Sequence, residues 1–149
     1  MASTLSPYNH LLREAWLGTW RPDANPDFRV NLYTSFTFNP AHTTKSAAET
    51  GATQVATGAG YTQNAKTLSN VTATIYLTTG FIVTFDPIIW YPPSSTTLTA
   101  RYALFYANGT TGQKPFMFLD FGQSESAVSP QPLIISTAAN GCLSANWIT

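Results

Sequence analysis

Charge is the scarcest commodity in this chain. Only 9% of its 149 residues are Asp, Glu, Lys or Arg, against about 25% in an average globular protein. Seven acids offset seven bases, so the formal net charge is zero. Binding to nucleic acid or to an anionic membrane needs a basic footprint, and the sequence has none. Cysteine is nearly missing as well. Cys142 stands alone, which excludes an internal disulfide and a CxxC metal site. The two histidines, His10 and His42, fall in no metal-ligand spacing. No apolar run reaches the roughly 18 residues of a membrane span. Met1-Ala2-Ser3-Thr4 carries no basic stretch, and Leu11-Leu12 is too short for the apolar part of a secretion signal. These absences predict a chain made in a reducing cytosol, with no metal and no cofactor.

What remains is a chain long enough for one real core. Domains of this size bury roughly 68–70% of their unfolded surface without a staple. With charges so few, the polar surface has to come from Thr, Ser, Asn and Gln. Low charge weakens the usual guard against self-association. It also matches stable interfaces, whose centres are poor in Lys, Glu and Asp. Composition therefore favours assembly over a secreted β protein with a Thr-rich surface.

The pattern divides the chain into an N-terminal helix and arm over 1–27 and a β-sandwich over 28–149, with a long loop at 41–70. Ser6 and Pro7 look like an N-cap and first helical residue. Tyr8, Leu11, Leu12, Ala15 and Trp16 then recur at helical spacing, so a helix is expected from Pro7 to Leu17, stopped by Gly18. Trp20 to Asp27 is turn chemistry. Phe28 to Tyr33 alternates as a first strand. The 41–70 stretch is rich in Thr, Ala, Gly and Gln and is expected to fill little core. Within it Ser46 to Glu49 reads as one helical turn stopped by Gly51, and Gly58-Ala59-Gly60 as a turn into Tyr61.

From Val71 the pattern is β throughout. Strands are expected at 71–78, 81–85, 88–91, 98–107, 116–121, 133–135 and 143–148. Along 98–107, the fourth of these segments, Leu98, Ala100, Tyr102, Leu104 and Tyr106 should share one face, with Asn108-Gly109 turning behind them. Short strands at regular intervals describe an all-β antiparallel sandwich or barrel, jelly-roll or Greek-key-like, with one short N-terminal helix.

Chemistry finds few candidates. A nucleophilic triad can be drawn from Cys142 and a histidine, but no motif supports it. A lone Cys at a strand start is usually a small buried hydrophobe. Asp86 and Asp120 fall near strand ends, as a glycosidase pair would require. Turn capping suits Asp86 better, and pairing with Arg101 suits Asp120. The residues describe no enzyme, and no catalytic residue is assigned. Trp90 and Tyr91 beside Pro92-Pro93 fit a strand end packed on the core or on a neighbouring subunit, and less well a sugar platform.

Four stretches in series carry a resemblance. They are Tyr8-Asn9-His10 leading through a short helix to Phe28-Arg29-Val30-Asn31-Leu32-Tyr33-Thr34-Ser35, the turn Gly60-Tyr61-Thr62, then Leu98-Thr99-Ala100-Arg101-Tyr102-Ala103, and finally Lys114-Pro115-Phe116 through Asp120-Phe121-Gly122. In this order the chain resembles a family of small structural proteins of tailed bacteriophages. The resemblance implies a virion protein on the phage head, assembled in the host cytoplasm. It implies a cement protein that decorates the shell as a homotrimer bound to the major capsid protein. On that reading Tyr8, Leu12, Trp16 and Trp20 dock on the shell, while Trp90, Tyr91, Tyr102 and Tyr106 form the contact between copies. A head-to-tail (neck) or tail component stays open. So does a carbohydrate-binding or adhesin module with Trp90, Tyr91 and Tyr61 as stacking rings, and a small hydrolase ranks last.

Overall fold

A computed structural model describes residues 3–17, 27–76, 80–109, 112–136 and 143–146. In chain order its elements are β1 (Thr4–Pro7), α1 (Asn9–Trp16), β2 (Phe28–Ser35), α2 (Lys45–Ala48), β3 (Thr53–Gln54), β4 (Thr72–Tyr76), β5 (Gly80–Thr84), β6 (Ile88–Trp90), β7 (Thr97–Ala107), β8 (Lys114–Val128), β9 (Leu133–Ile135) and β10 (Leu143–Asn146). The main sheet has the order β1-β8-β7-β2-β3, and two smaller sheets have the orders β10-β5-β4 and β6-β9. Every pairing is antiparallel. The fold is the all-β, sandwich-like one expected, with little helix.

The main sheet is covered on both faces. On the first, Val30 and Leu32 of β2 and Ala103 and Phe105 of β7 meet Val83, Phe85, Ile88, Trp90, Leu133 and Ile135 from the smaller sheets. The rings of Phe85 and Phe105 lie 5.5 Å apart, and those of Phe28 and Phe116 meet edge-on at 5.3 Å. On the second face Tyr8, Tyr33, Ala48, Leu104 and Phe118 form a separate cluster, with Phe36, Phe38 and Tyr102 packed against it. Phe38 stacks on Phe118 at 4.9 Å.

The alternation read along β7 is broken by a bulge. Ala100 pairs with Glu125 and Tyr102 with Asp120, so Arg101 stands opposite Phe121, Gly122, Gln123 and Ser124. Gly122 has a φ of +82°, and its amide donates to Asp120 Oδ1 at 2.8 Å. Such an irregularity inverts the side-chain parity of a strand. Leu98 and Ala100 thus face the first core together with Ala103, Phe105 and Ala107. Tyr102 and Leu104 face the second. The five residues expected on one side are split between two.

Two more expectations change. Ser6 and Pro7 are strand residues, opposite Phe118 and Met117, and the helix begins two residues later at Asn9. An edge strand tolerates the missing amide of Pro7, so the Ser-Pro pair is met by a sheet edge instead of a helix start. The 41–70 loop also contributes more core than its composition suggests. Tyr61 is 1% exposed and joins the first cluster with Leu68. Its hydroxyl accepts the backbone N–H of Leu32 at 3.1 Å and a bond from Gln54 Nε2 at 3.0 Å. One well-placed tyrosine replaces the aliphatic residues that the loop lacks. The helical turn appears as α2, capped by Thr44, whose Oγ1 accepts from Ala47 N.

Candidate functional site

Among the described residues, the buried polar side chains, Asn31 and Lys45, collect behind the second face of the main sheet. β2 supplies Asn31 and Tyr33, α2 and its cap supply Lys45 and Glu49, and β7 supplies Tyr106. Lys45 Nζ lies 3.0 Å from Glu49 Oε1 and 5.0 Å above the Tyr106 ring, while the Tyr33 hydroxyl donates to Glu49. Asn31 is fully buried. Its Nδ2 donates to Asn64 Oδ1 at 2.6 Å and its Oδ1 accepts from Asn64 N at 3.2 Å. Arg29 NH1 donates to Asn64 O at 2.6 Å while its Nε bonds Asp27 at 2.7 Å. Asn64 takes this place in a left-handed turn, φ +58°, which Asn adopts more readily than most residues.

Electrostatics follows from burial. Burial, with the Glu49 carboxylate nearby, holds the hydroxyls of Tyr8 and Tyr33 far above the ordinary tyrosine range. Burial also pushes Tyr61 up and Tyr106 up to about 12. Bonds from Arg29 and then Asn108 hold the Asp27 carboxyl below its usual value. The Tyr8 hydroxyl is buried without a hydrogen-bond partner; the others are bonded to neighbouring groups, and Asn31, Tyr33, Arg29 and Tyr61 tie the 41–70 loop to the sheet. Lys66 adds a tie on the other side, donating to Ile89 O at 2.8 Å beside the Trp90 ring. Gly60 lets the loop lie flat on β6's exit. A Cβ there would fall 2.2 Å from the carbonyl oxygen of Tyr91.

The open surface carries two adjoining clefts. A groove of about 340 Å³ runs between β1, β8 and β9, with Leu5, Leu119, Phe121 and Ile134 at its sides and Phe105 and Met117 below. A second cleft of about 490 Å³ adjoins it, sharing Ser3, Phe121 and Ile134. Among the described residues, Glu125 is the one ionisable side chain in the lining of the pair. A lone carboxylate gives this surface no acid–base couple. Ile134 is 51% exposed, and Leu17, Tyr91 and Val128 are exposed too.

The predicted docking and contact residues separate. Tyr8, Trp90 and Tyr106 are 0%, 3% and 0% exposed. They fill the subunit's own interior, which corrects their assignment to surfaces that a partner touches. The reason is the double cover of the main sheet, which takes aromatics from both faces of β7 and from the chain before α1. Tyr102 is half-buried, stacked on Phe118 at 5.6 Å and beside Arg101. Tyr91 stands free at 64% exposure. The side chains of Leu12 and Trp16, and Trp20 and Cys142 entirely, lie outside the described residues. The sugar platform loses two of its three rings, since Tyr61 and Trp90 are buried. Asp86 accepts from Asn70 Nδ2 at 2.7 Å, joining the loop's end to the strand's end. Asp120 pairs with Arg101 at 3.6 Å, as the sequence suggested.

Sequence reasoning missed the groove. Its signal was the run Leu133-Ile134-Ile135, read only as a strand. A three-residue strand alternates, so its middle residue faces away from the other two. Comparison with protein-family models, with curated proteins and with solved structures finds no match for this chain.

Proposed function

We propose that this chain is an assembly protein of a tailed-phage particle, a cement protein that decorates the head as a homotrimer bound to the major capsid protein. The observation that carries the reading is how the polar and apolar groups are apportioned. Among the described residues, most of the few charged side chains are engaged within the subunit, while Ile134 is left outside on an apolar groove and Val128, Tyr91 and Leu17 are exposed elsewhere. The sequence resemblance to small phage structural proteins supports the same reading.

Cement needs binding free energy across seams and no chemistry. Permanent interfaces bury about 2,000–5,000 Å², and the subunit exposes 8103 Å², so such contacts fit. Docking falls to the N-terminal segment through Leu12, Trp16 and Trp20, next to exposed Leu17. Contact between copies falls to Tyr91, with Tyr102 at its margin. Three linked footprints make the later contacts intramolecular, which raises avidity by about 10²–10⁴.

The test is co-sedimentation of the purified chain with phage heads stripped of it, alongside light scattering of the chain alone. A trimer that binds heads and stays bound through moderate salt agrees with apolar docking. A hexamer or dodecamer that ignores the shell moves the protein to the neck, and release by moderate salt overturns the apolar account.

A further inference from the structure

Helix α1 is held to the body at a junction that carries both histidines. Asn9 N donates to Pro40 O at 2.9 Å and Tyr8 N to Phe116 O at 3.2 Å. Leu11 is buried in the first core. Glu14, one turn beyond His10, pairs with Lys114 of β8 at 2.5 Å. The His10 ring lies 6.1 Å from that of Tyr8. The Nδ1 atoms of His10 and of His42 are both buried without a hydrogen-bond partner.

A neutral imidazole tolerates a bare Nδ1, which then needs no acceptor. A protonated one carries N–H on both nitrogens, so docked His10 would hold an added donor at a buried Nδ1 that has no hydrogen-bond partner. The groups facing it divide. Lys114 opposes a second positive charge, and Glu14 and the backbones of His42 and Pro115 favour it. Burial is the largest influence and opposes it.

We propose that His10 is an acid-sensitive release for α1: neutral imidazole keeps the helix docked on β8 and the 38–42 segment, and protonation frees it. The consequence for the particle rests on the docking role given above to the N-terminal segment, whereas the release itself does not. Burial lowers His10 below its ordinary 6.5. The unfolded or undocked chain therefore takes up the proton first. Stability of the docked helix is full above about pH 6.5 and is lost as pH falls from there through the lower folded value.

The experiment is amide hydrogen exchange of the full chain between pH 7.5 and pH 5, corrected for intrinsic rates, with the His10 ring followed by NMR. Exchange over residues 9–16 should rise several-fold on acidification while β2 and β7 stay protected, and the ring should titrate below 6.5. His10→Gln should flatten the response, and His42→Gln should leave it in place. Unchanged exchange over 9–16, an equal rise in His10→Gln, or a ring titrating at or above 6.5 overturns the release. The NMR titration needs no variant, so a variant that fails to fold leaves the test intact. Head co-sedimentation at pH 7.5 reports the docking role separately: its failure there removes that role and leaves the release standing.

Discussion

The two faces of the main sheet are closed in different ways. The first is sealed by apolar side chains from three sheets, with Val30, Leu32 and Phe105 fully buried. The second is sealed by aromatics together with a polar latch, Lys45–Glu49–Tyr33, and the Asn31–Asn64 pair beside it. The difference shows where a charge-poor chain uses its charges. Among the described residues, eight of the twelve charged side chains are joined in four ion pairs. Area burial closes one face without direction. Fixing a Thr- and Ala-rich loop on the other takes directional bonds, because that loop has too little apolar surface to hold itself there.

The comparison can be broken first at its apolar side. Phe105→Ala should cost about 3–5 kcal/mol, read as a lowered urea midpoint. The latch comes next. Glu49→Ala leaves the Lys45 cation and the Tyr33 hydroxyl without their acceptor. Breaking a fully buried pair costs about 3–5 kcal/mol, and the part-exposed Glu49 should cost somewhat less, about 2 kcal/mol. Replacing both charges, in Lys45→Met with Glu49→Gln, should recover part of that loss. If the double variant is no better than the single one, the latch is not a coupled pair.

Alkali should then act on the second face more than on the first, since Tyr8, Tyr33 and Tyr106 lie there while the first core holds Tyr61. Their folded values are raised by burial, so the unfolded chain loses phenolic protons first. Stability is full below about pH 10 and falls as pH rises towards 12. Unfolding midpoints across that range, with tyrosinate absorbance alongside, test the sign. The smallest effect belongs to the surface. Arg101→Gln removes a half-exposed pair at 3.6 Å and should shift stability by less than about 0.5 kcal/mol.

Much of the fold was legible because strands advertise themselves by period two and turns by Asn-Gly, Gly and Pro. β2, β6, β7 and β9 fall within a residue or two of their expected bounds. The failures are physical. Parity along β7 was lost at Arg101 because the bulge is set by Gly122 and Asp120 on another strand. Ser6-Pro7 reads alike as helix start and as sheet edge, and only the partner strand β8 decides between them. Tyr8, Trp90 and Tyr106 were placed outside because large aromatics suit interfaces and cores equally. The second cover that buries Tyr8 and Tyr106 is made by residues 36–52, whose composition hides it. The pairing of Arg101 with Asp120 was legible, and the groove at Ile134 was not, because it lies between strands remote in sequence.

Imaging the intact particle finely enough to place this subunit and count its copies bears most directly on the claim that the protein works as glue. The account predicts three-fold clusters on the outer head, with the N-terminal segment against the shell. Finding the chain as a monomer absent from the particle, or as a single ring at the neck, would contradict it.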